Sequence, residues 1–226
     1  MSGARYGREV KTLGQAWGEF RAKRSPKLIA GAITVTLVVR LLVGDWSWRD
    51  LVAVAVMLVV YPFGEWAIHV YLLHLKPFKF RGARTELPTA RAHREHHEQP
   101  NDLYMILLAP SEAMALMFLA VPLVPALAGV VIVATGGDVP YGALLTAVLT
   151  GQVLVAIYEW THFLIHTAYR PRSRYYRSIW RNHRLHHFKN EHYWHGITNT
   201  IGDRALGTLR DQADVPKSAT ARTLTP

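Results

Sequence analysis

The run LVAVAVMLVVYPFGEWAIHVYLLHL, residues 51–75, is apolar for long enough to cross a membrane, yet its last third carries Glu65, His69 and His74. At about 1.5 Å per helical residue it exceeds a hydrocarbon core of roughly 30 Å. Residues 28–44, 112–135 and 140–166 are comparable runs. Soluble helices of this length would present a polar face, which these lack. The expected fold is therefore all-α and integral to the membrane, with four transmembrane helices.

Charge sets the expected orientation. Of 26 Lys and Arg, seven precede residue 28, six lie between 76 and 94, and eleven follow 167. The two short predicted outer loops, 45–50 and 136–139, hold only Arg49. The positive-inside rule then places both termini and the 76–102 loop in the cytoplasm. Arg40, inside the first span, is expected to face a partner helix or to snorkel to an interface. The net charge of +10 is read as topology and lipid attraction rather than nucleic-acid binding, because the cations flank spans.

The protein divides on this reading into residues 1–27, an amphipathic cytoplasmic segment; 28–210, the membrane domain; and 211–226, a tail without apolar periodicity, predicted to be disordered. In the first segment Val10, Leu13, Trp17 and Phe20 recur at helical spacing, as in a helix lying on a membrane surface. No cleavable leader is expected, since the first apolar run begins only at Leu28 behind basic residues. The absence of cysteine excludes disulfides, thiolate nucleophiles and cysteine-ligated metal within these residues.

All twelve histidines fall at the predicted cytoplasmic ends of spans or in cytoplasmic segments. H-x-x-H-H occurs at 93–97 and again at 183–187, and each motif is expected to present three imidazoles in one direction. His162 and His166 are four apart. His69 and His74 are five apart, which fits no single face of a regular helix, so either the helix distorts between them or they serve different ions. Imidazole suits iron, zinc, copper and nickel, and ten such ligands are about right for two ions, so the expected fold adds to the four spans a cytoplasmic, histidine-rich helical cap holding a di-metal site. A pH sensor would not require the repeated spacing.

The segments E-W-A-I-H-V-Y-L-L-H (65–74), H-R-E-H-H (93–97) with Pro100, Asn101 and Asp102, E-W-T-H-F-L-I-H (159–166) and H-R-L-H-H-F (183–188) resemble the histidine boxes of the fatty acid hydroxylase/sterol desaturase superfamily. The likeness runs from about Glu65 to Thr208. F-K-N-E-H-Y-W-H-G, with G-D-R-A-L-G-T after it, is similar to the bacterial fatty acid hydroxylase branch, which implies a multi-pass protein of a bacterial inner membrane, and the Arg-rich link before the last box resembles bacterial carotenoid hydroxylases. The resemblance implies His69, His74, His93, His96, His97, His162, His166, His183, His186 and His187 as ligands of two iron ions, with zinc a possible substitute. It further implies O2 as co-substrate, a membrane lipid as substrate, and hydroxylation of an acyl or related C–H bond.

Several further roles belong to the same reading. Glu65 and Glu159 are expected to accept hydrogen bonds that fix imidazole tautomers. His192 and His195 are candidates for the substrate pocket, for supporting the ligands from outside, or for ligation. Tyr158, Trp160, Tyr193 and Trp194 are candidates for a lipid entrance. Two electrons are expected from a separate donor such as a ferredoxin, a cytochrome b5-like protein or a reductase, docking near Lys76, Lys79, Arg81, Arg172, Arg174 and Arg177. Desaturation or carotenoid hydroxylation is the alternative within the superfamily. A metal transporter or sensor is the alternative outside it, although transporters place polar donors at mid-membrane.

Overall fold

The structure, a computed structural model, describes residues 4–225. Residues 1–3 of the expected N-terminal segment and residue 226 of the expected tail lie outside the described residues. In sequence order the elements are α1 (Leu13–Ala22), α2 (Arg24–Val43), α3 (Trp48–Ala67, prolonged by a π-helical Ile68–Leu73), β1 (Phe78–Phe80), β2 (Ala83–Thr85), α4 (Pro88–Glu98), α5 (Pro110–Ala115), a π-helical Leu116–Ala120, α6 (Val121–Ala134), α7 (Tyr141–Ile165), α8 (Arg174–Phe188) and α9 (Ile201–Ala205). Four helices have the length and apolarity of membrane spans: Arg24–Val43, Trp48–Leu73, Pro110–Ala134 and Tyr141–Ile165. They coincide with the four expected runs. The last is the most enclosed, 39% of its apolar window being buried against 11–17% for the others, so the other three turn most of their apolar surface outward, toward lipid.

Arg21–Tyr61 and Leu108–Glu159 form one compact unit. Its core joins Ile29 and Ala32 of α2 to Ala113, Met117 and Val155. Gly44, at φ 65°, ends α2 in a backbone region that most residues avoid. Arg40, one turn earlier, is fully buried and pairs across helices. It donates to Thr146 Oγ1 at 2.8 Å, Asp50 Oδ1 at 2.7 Å and the Gly44 carbonyl, and lies 3.6 Å from the centre of the Trp46 ring. Of the two expectations for Arg40, the partner helix is the one realised, because a buried guanidinium needs a carboxylate and further acceptors.

The described residues up to Phe20, together with Pro62–Leu107 and those from Trp160 onward, form the second unit. Val10, Ala16, Phe20, Leu103, Ile106, Phe163 and Leu164 make its core. Val10 and Phe20 of the expected surface helix are thus absorbed by the protein, while Leu13 and Trp17 stay exposed. Gly7 presses on the backbone of His166, where a Cβ would stand 1.8 Å from the carbonyl oxygen; only glycine fits. The hairpin β1–β2, turned by Arg81 at φ 49° and Gly82 at φ 83°, is a two-stranded exception to the helical expectation.

Residues 211–225 correct the expectation of a disordered tail. They form turns rather than helix, which is why no apolar period marks them, but Val215, Ala221 and Leu224 are buried. The order comes from hydrogen bonds to residues well before the tail: Ser218 N to Lys189 O at 2.7 Å, Asn190 Nδ2 to Pro216 O at 3.1 Å, and the Ser218 and Thr220 hydroxyls to Glu191.

Candidate metal centre

Local backbone geometry resolves the awkward spacing of His69 and His74. The helix widens into π geometry over Ile68–Leu73, and the His74 amide donates to the His69 carbonyl at 3.2 Å. Five residues then make one turn, so the two rings meet with centroids 4.9 Å apart. His162 and His166, at the end of α7, reach the same ring separation by ordinary i, i+4 spacing.

The two H-x-x-H-H helices do something the spacing alone did not suggest. Their imidazoles sort into two groups, each with its nitrogens within 4.8 Å of one another: His69, His74, His93, His97 and His186 in the first, and His96, His162, His166, His183 and His187 in the second. The expectation that each motif aims three rings one way is corrected. Adjacent residues on a helix point about 100° apart. The i and i+4 members therefore stay together while the i+3 member crosses to the other group. α4 gives His93 and His97 to the first group and His96 to the second; α8 gives His183 and His187 to the second and His186 to the first.

Hydrogen bonds orient the first group. Nδ1 of His69, His97 and His186 meets the carbonyls of His195 at 2.6 Å, Ala221 at 2.9 Å and Tyr193 at 2.8 Å. Donation through Nδ1 fixes the tautomer that leaves Nε2 with its lone pair. All five Nε2 atoms of this group are buried with no hydrogen-bond partner among the described residues. In the second group the Nε2 atoms of His166 and His187 each lie 3.0 Å from that of His183.

Burial, with the neighbouring imidazoles adding to it, pushes these rings far down the acid scale: His74 to about 2, and His93, His96, His166, His183, His186 and His187 well below the ordinary value. Burial also takes His97 down to about 4. They are neutral at physiological pH, the form that binds metal. An orphaned buried polar group costs about 1–3 kcal/mol, and a cation is the partner that satisfies so many converging lone pairs at once. The donor set fits the implied metal: two groups of imidazole nitrogen, suited to iron or zinc.

The four remaining site candidates fare differently. Among the described residues no hydrogen bond joins Glu65 to an imidazole. Its buried carboxylate accepts from the Ile197 amide, from the Thr198 amide at 2.7 Å and from the Asn199 amide group at 3.2 Å, and so anchors the loop whose His195 carbonyl meets His69. Glu159 accepts from Leu108 N at 2.9 Å and likewise fixes no tautomer. Both corrections have one cause: a carboxylate inside a span is drawn to the nearest free backbone amides. His195 is buried, with ring centroids 5.2–5.7 Å from those of His186, His69 and His74, outside the group of five but beside it. His192 is exposed and 3.5 Å from Glu191.

A cavity of about 230 Å³ opens beside the first group, lined by Trp66, Val70, His74, Lys76, His192 and His195 among others. Trp160 and Trp194, two of the candidates for a lipid entrance, both pack against the protein itself. The first packs with Phe20 and Phe163, and the second is buried with its indole donating to Arg210 O at 2.9 Å.

Asp203 was not foreseen. Fully buried, it accepts from the amides of His195 at 2.9 Å and Gly196 at 2.7 Å and from Thr208 Oγ1 at 2.6 Å. Burial alone would raise its carboxyl, but these bonds bring it below the usual range. Its one sequence signal was a lone acid in a glycine-containing stretch after the last box.

The fatty acid hydroxylase family profile matches residues 54–208. Two dihydroceramide fatty acyl 2-hydroxylases of Arabidopsis thaliana, FAH2 and FAH1, are similar to this protein: the first is 27% identical over 155 residues and the second 26% identical over 164 residues. These alignments cover 68% and 72% of the present sequence but 60% and 63% of the relatives, so it spans somewhat under two thirds of their length. No solved structure matches it.

Proposed function

The protein belongs to the fatty acid hydroxylase family, and on that premise we propose that it is a membrane-embedded enzyme hydroxylating a lipid acyl C–H bond with O2 and two electrons from a separate donor. The observation that carries this reading is the pair of five-imidazole groups, buried except for a half-buried His74, in a protein with four apolar spans. Two iron ions are the proposed occupants. Bound there, they would supply the O2 activation that no side group of the protein can, since an unactivated C–H bond demands an oxidant beyond amino-acid chemistry.

The protein's own residues do the rest. The His195, Ala221 and Tyr193 carbonyls hold three imidazoles of the first group in one tautomer. Trp66, Val70 and Leu224 give the adjoining cavity an apolar wall for an alkyl segment, and Lys76 and His192 give it a polar side for the lipid's head. The names of the plant relatives suggest position 2 of an amide-linked fatty acyl group as the first substrate to try. The basic residues Lys76, Lys79, Arg81, Arg172, Arg174 and Arg177 form the proposed docking face for the electron donor, and the distribution of Lys and Arg supports a cytoplasmic site. A transporter reading is disfavoured because every histidine belongs to one unit rather than lining mid-span positions.

The test is to express the wild type and His186→Ala, count iron, and follow membrane lipids by mass spectrometry under isotopically labelled O2. One labelled oxygen gained by a lipid in the wild type and none in the variant is the expected result. Loss of two hydrogens without oxygen gain would instead identify a desaturase, and bound metal with no lipid change would sink the oxygenase reading.

A further inference from the structure

The C-terminal segment lies beyond residue 208, where the family match ends, yet it reaches the first imidazole group. Ala221 supplies the carbonyl that meets Nδ1 of His97 at 2.9 Å. The next residue, Arg222, donates from Nε to the His97 carbonyl at 2.8 Å and from Nη2 to the Glu98 carbonyl, so its guanidinium caps the carbonyl end of α4. The same guanidinium lies 5.4 Å from the centre of the Phe188 ring, the last residue of α8. Ser218 and Thr220 bind Glu191, and Ser218 N binds Lys189 O, just past α8. Leu224 lines the cavity that also touches His74 and His195. The segment thus ties together the ends of the two helices that carry six of the ten imidazoles.

We propose that residues 218–224 are a strap that positions the first imidazole group: the Ala221 carbonyl sets the His97 tautomer, and Arg222 holds that carbonyl in register with α4. The strap does no chemistry itself. It makes the first group dependent on the C-terminus and leaves the second independent of it, since its bonds go to His97, Glu98, Lys189 and Glu191, of which only His97 is a member of either group. This rests on the reading that the imidazoles hold metal.

The test uses cobalt(II), whose visible spectrum reports ligand geometry, loaded into the wild type, Arg222→Ala, Arg222→Lys and a form ended after Lys217. Release into a chelator is timed, and thermal unfolding is recorded alongside. Removing a partner that orients a ligating histidine typically costs about 10–100-fold in metal affinity. The shortened form is expected to release one ion about tenfold faster or more, with the second ion at the wild-type rate and an altered spectrum for the fast ion alone. Arg222→Ala should move the same ion less. Arg222→Lys, which keeps the charge but not the two-pronged contact, should fall between it and the wild type. Equal release from all four proteins overturns the strap, as does equal acceleration of both ions, which would signal general loosening. If the shortened form does not fold, an unchanged release rate in Arg222→Ala alone overturns it. A wild type that takes up no metal overturns the metal-centre reading itself, and the strap with it.

Discussion

The two imidazole groups are built by one device and finished differently. Each takes a pair from the end of a membrane helix, an i, i+4 pair from one H-x-x-H-H helix and the i+3 ring from the other. The first group is held from outside, three of its Nδ1 atoms tied to carbonyls of the 193–195 loop and of Ala221, and it borders the cavity through His74. In the second, all five rings are buried and the nitrogens of three meet one another directly. Equal donor sets need not mean equal roles: on the proposed function, the group beside the cavity is the one a substrate would approach, and it is also the one whose imidazoles are tied to loop carbonyls.

The largest effect that would break or sharpen this contrast comes from removing ligands. His186→Ala and His183→Ala should each reduce lipid hydroxylation to background, and each should cost one ion of two by metal analysis. Loss of both ions from either variant would mean that the groups do not bind independently.

Acid comes next. These histidines are held neutral when folded and regain an ordinary value of about 6.5 when unfolded. The unfolded protein therefore binds more protons between that value and the folded one, and stability falls as pH drops through the window. For His97 the window runs from 6.5 to about 4. Metal release and lowered thermal stability should set in below about pH 6.5, and a flat pH profile across the whole window would contradict the assignment.

Asp203→Asn tests the loop side. With the carboxylate charge gone, the amides of His195 and Gly196 lose acceptor strength opposite them, and the first group should bind metal about tenfold more weakly while the second is unaffected. Arg40→Met is the smallest expected perturbation of the contrast. Breaking a buried pair costs about 3–5 kcal/mol, visible in denaturation, but both ions should remain, because the Arg40 network belongs to the unit that holds no histidine.

How legible was this in the sequence? The spans were readable to within a few residues, because apolarity over a membrane's thickness is a local property. The ten clustered histidines were readable as a set, because their repeat spacing is local too. The carbonyl partners of His69, His97 and His186 were not, since a backbone oxygen looks the same in every residue. Glu65 and Glu159 misled for a related reason: an acid near a histidine in sequence is not its neighbour when free amides lie closer. The tail misled because turns held by contacts more than a hundred residues away in sequence, such as Arg222 to His97, leave no periodic trace.

By itself, then, the sequence determined an all-α protein with four membrane-spanning helices, a histidine set of metal-binding character and its kinship with the fatty acid hydroxylases. Those follow from hydrophobicity, helical period and motif order, each carried by residues near one another in the sequence. The tertiary structure alone decided which imidazoles share a group, that a π turn unites His69 with His74, and that the C-terminus closes on His97. Those depend on how helices distant in sequence face one another, and a rotation of about 100° between adjacent helical residues is enough to send neighbouring histidines to different sites.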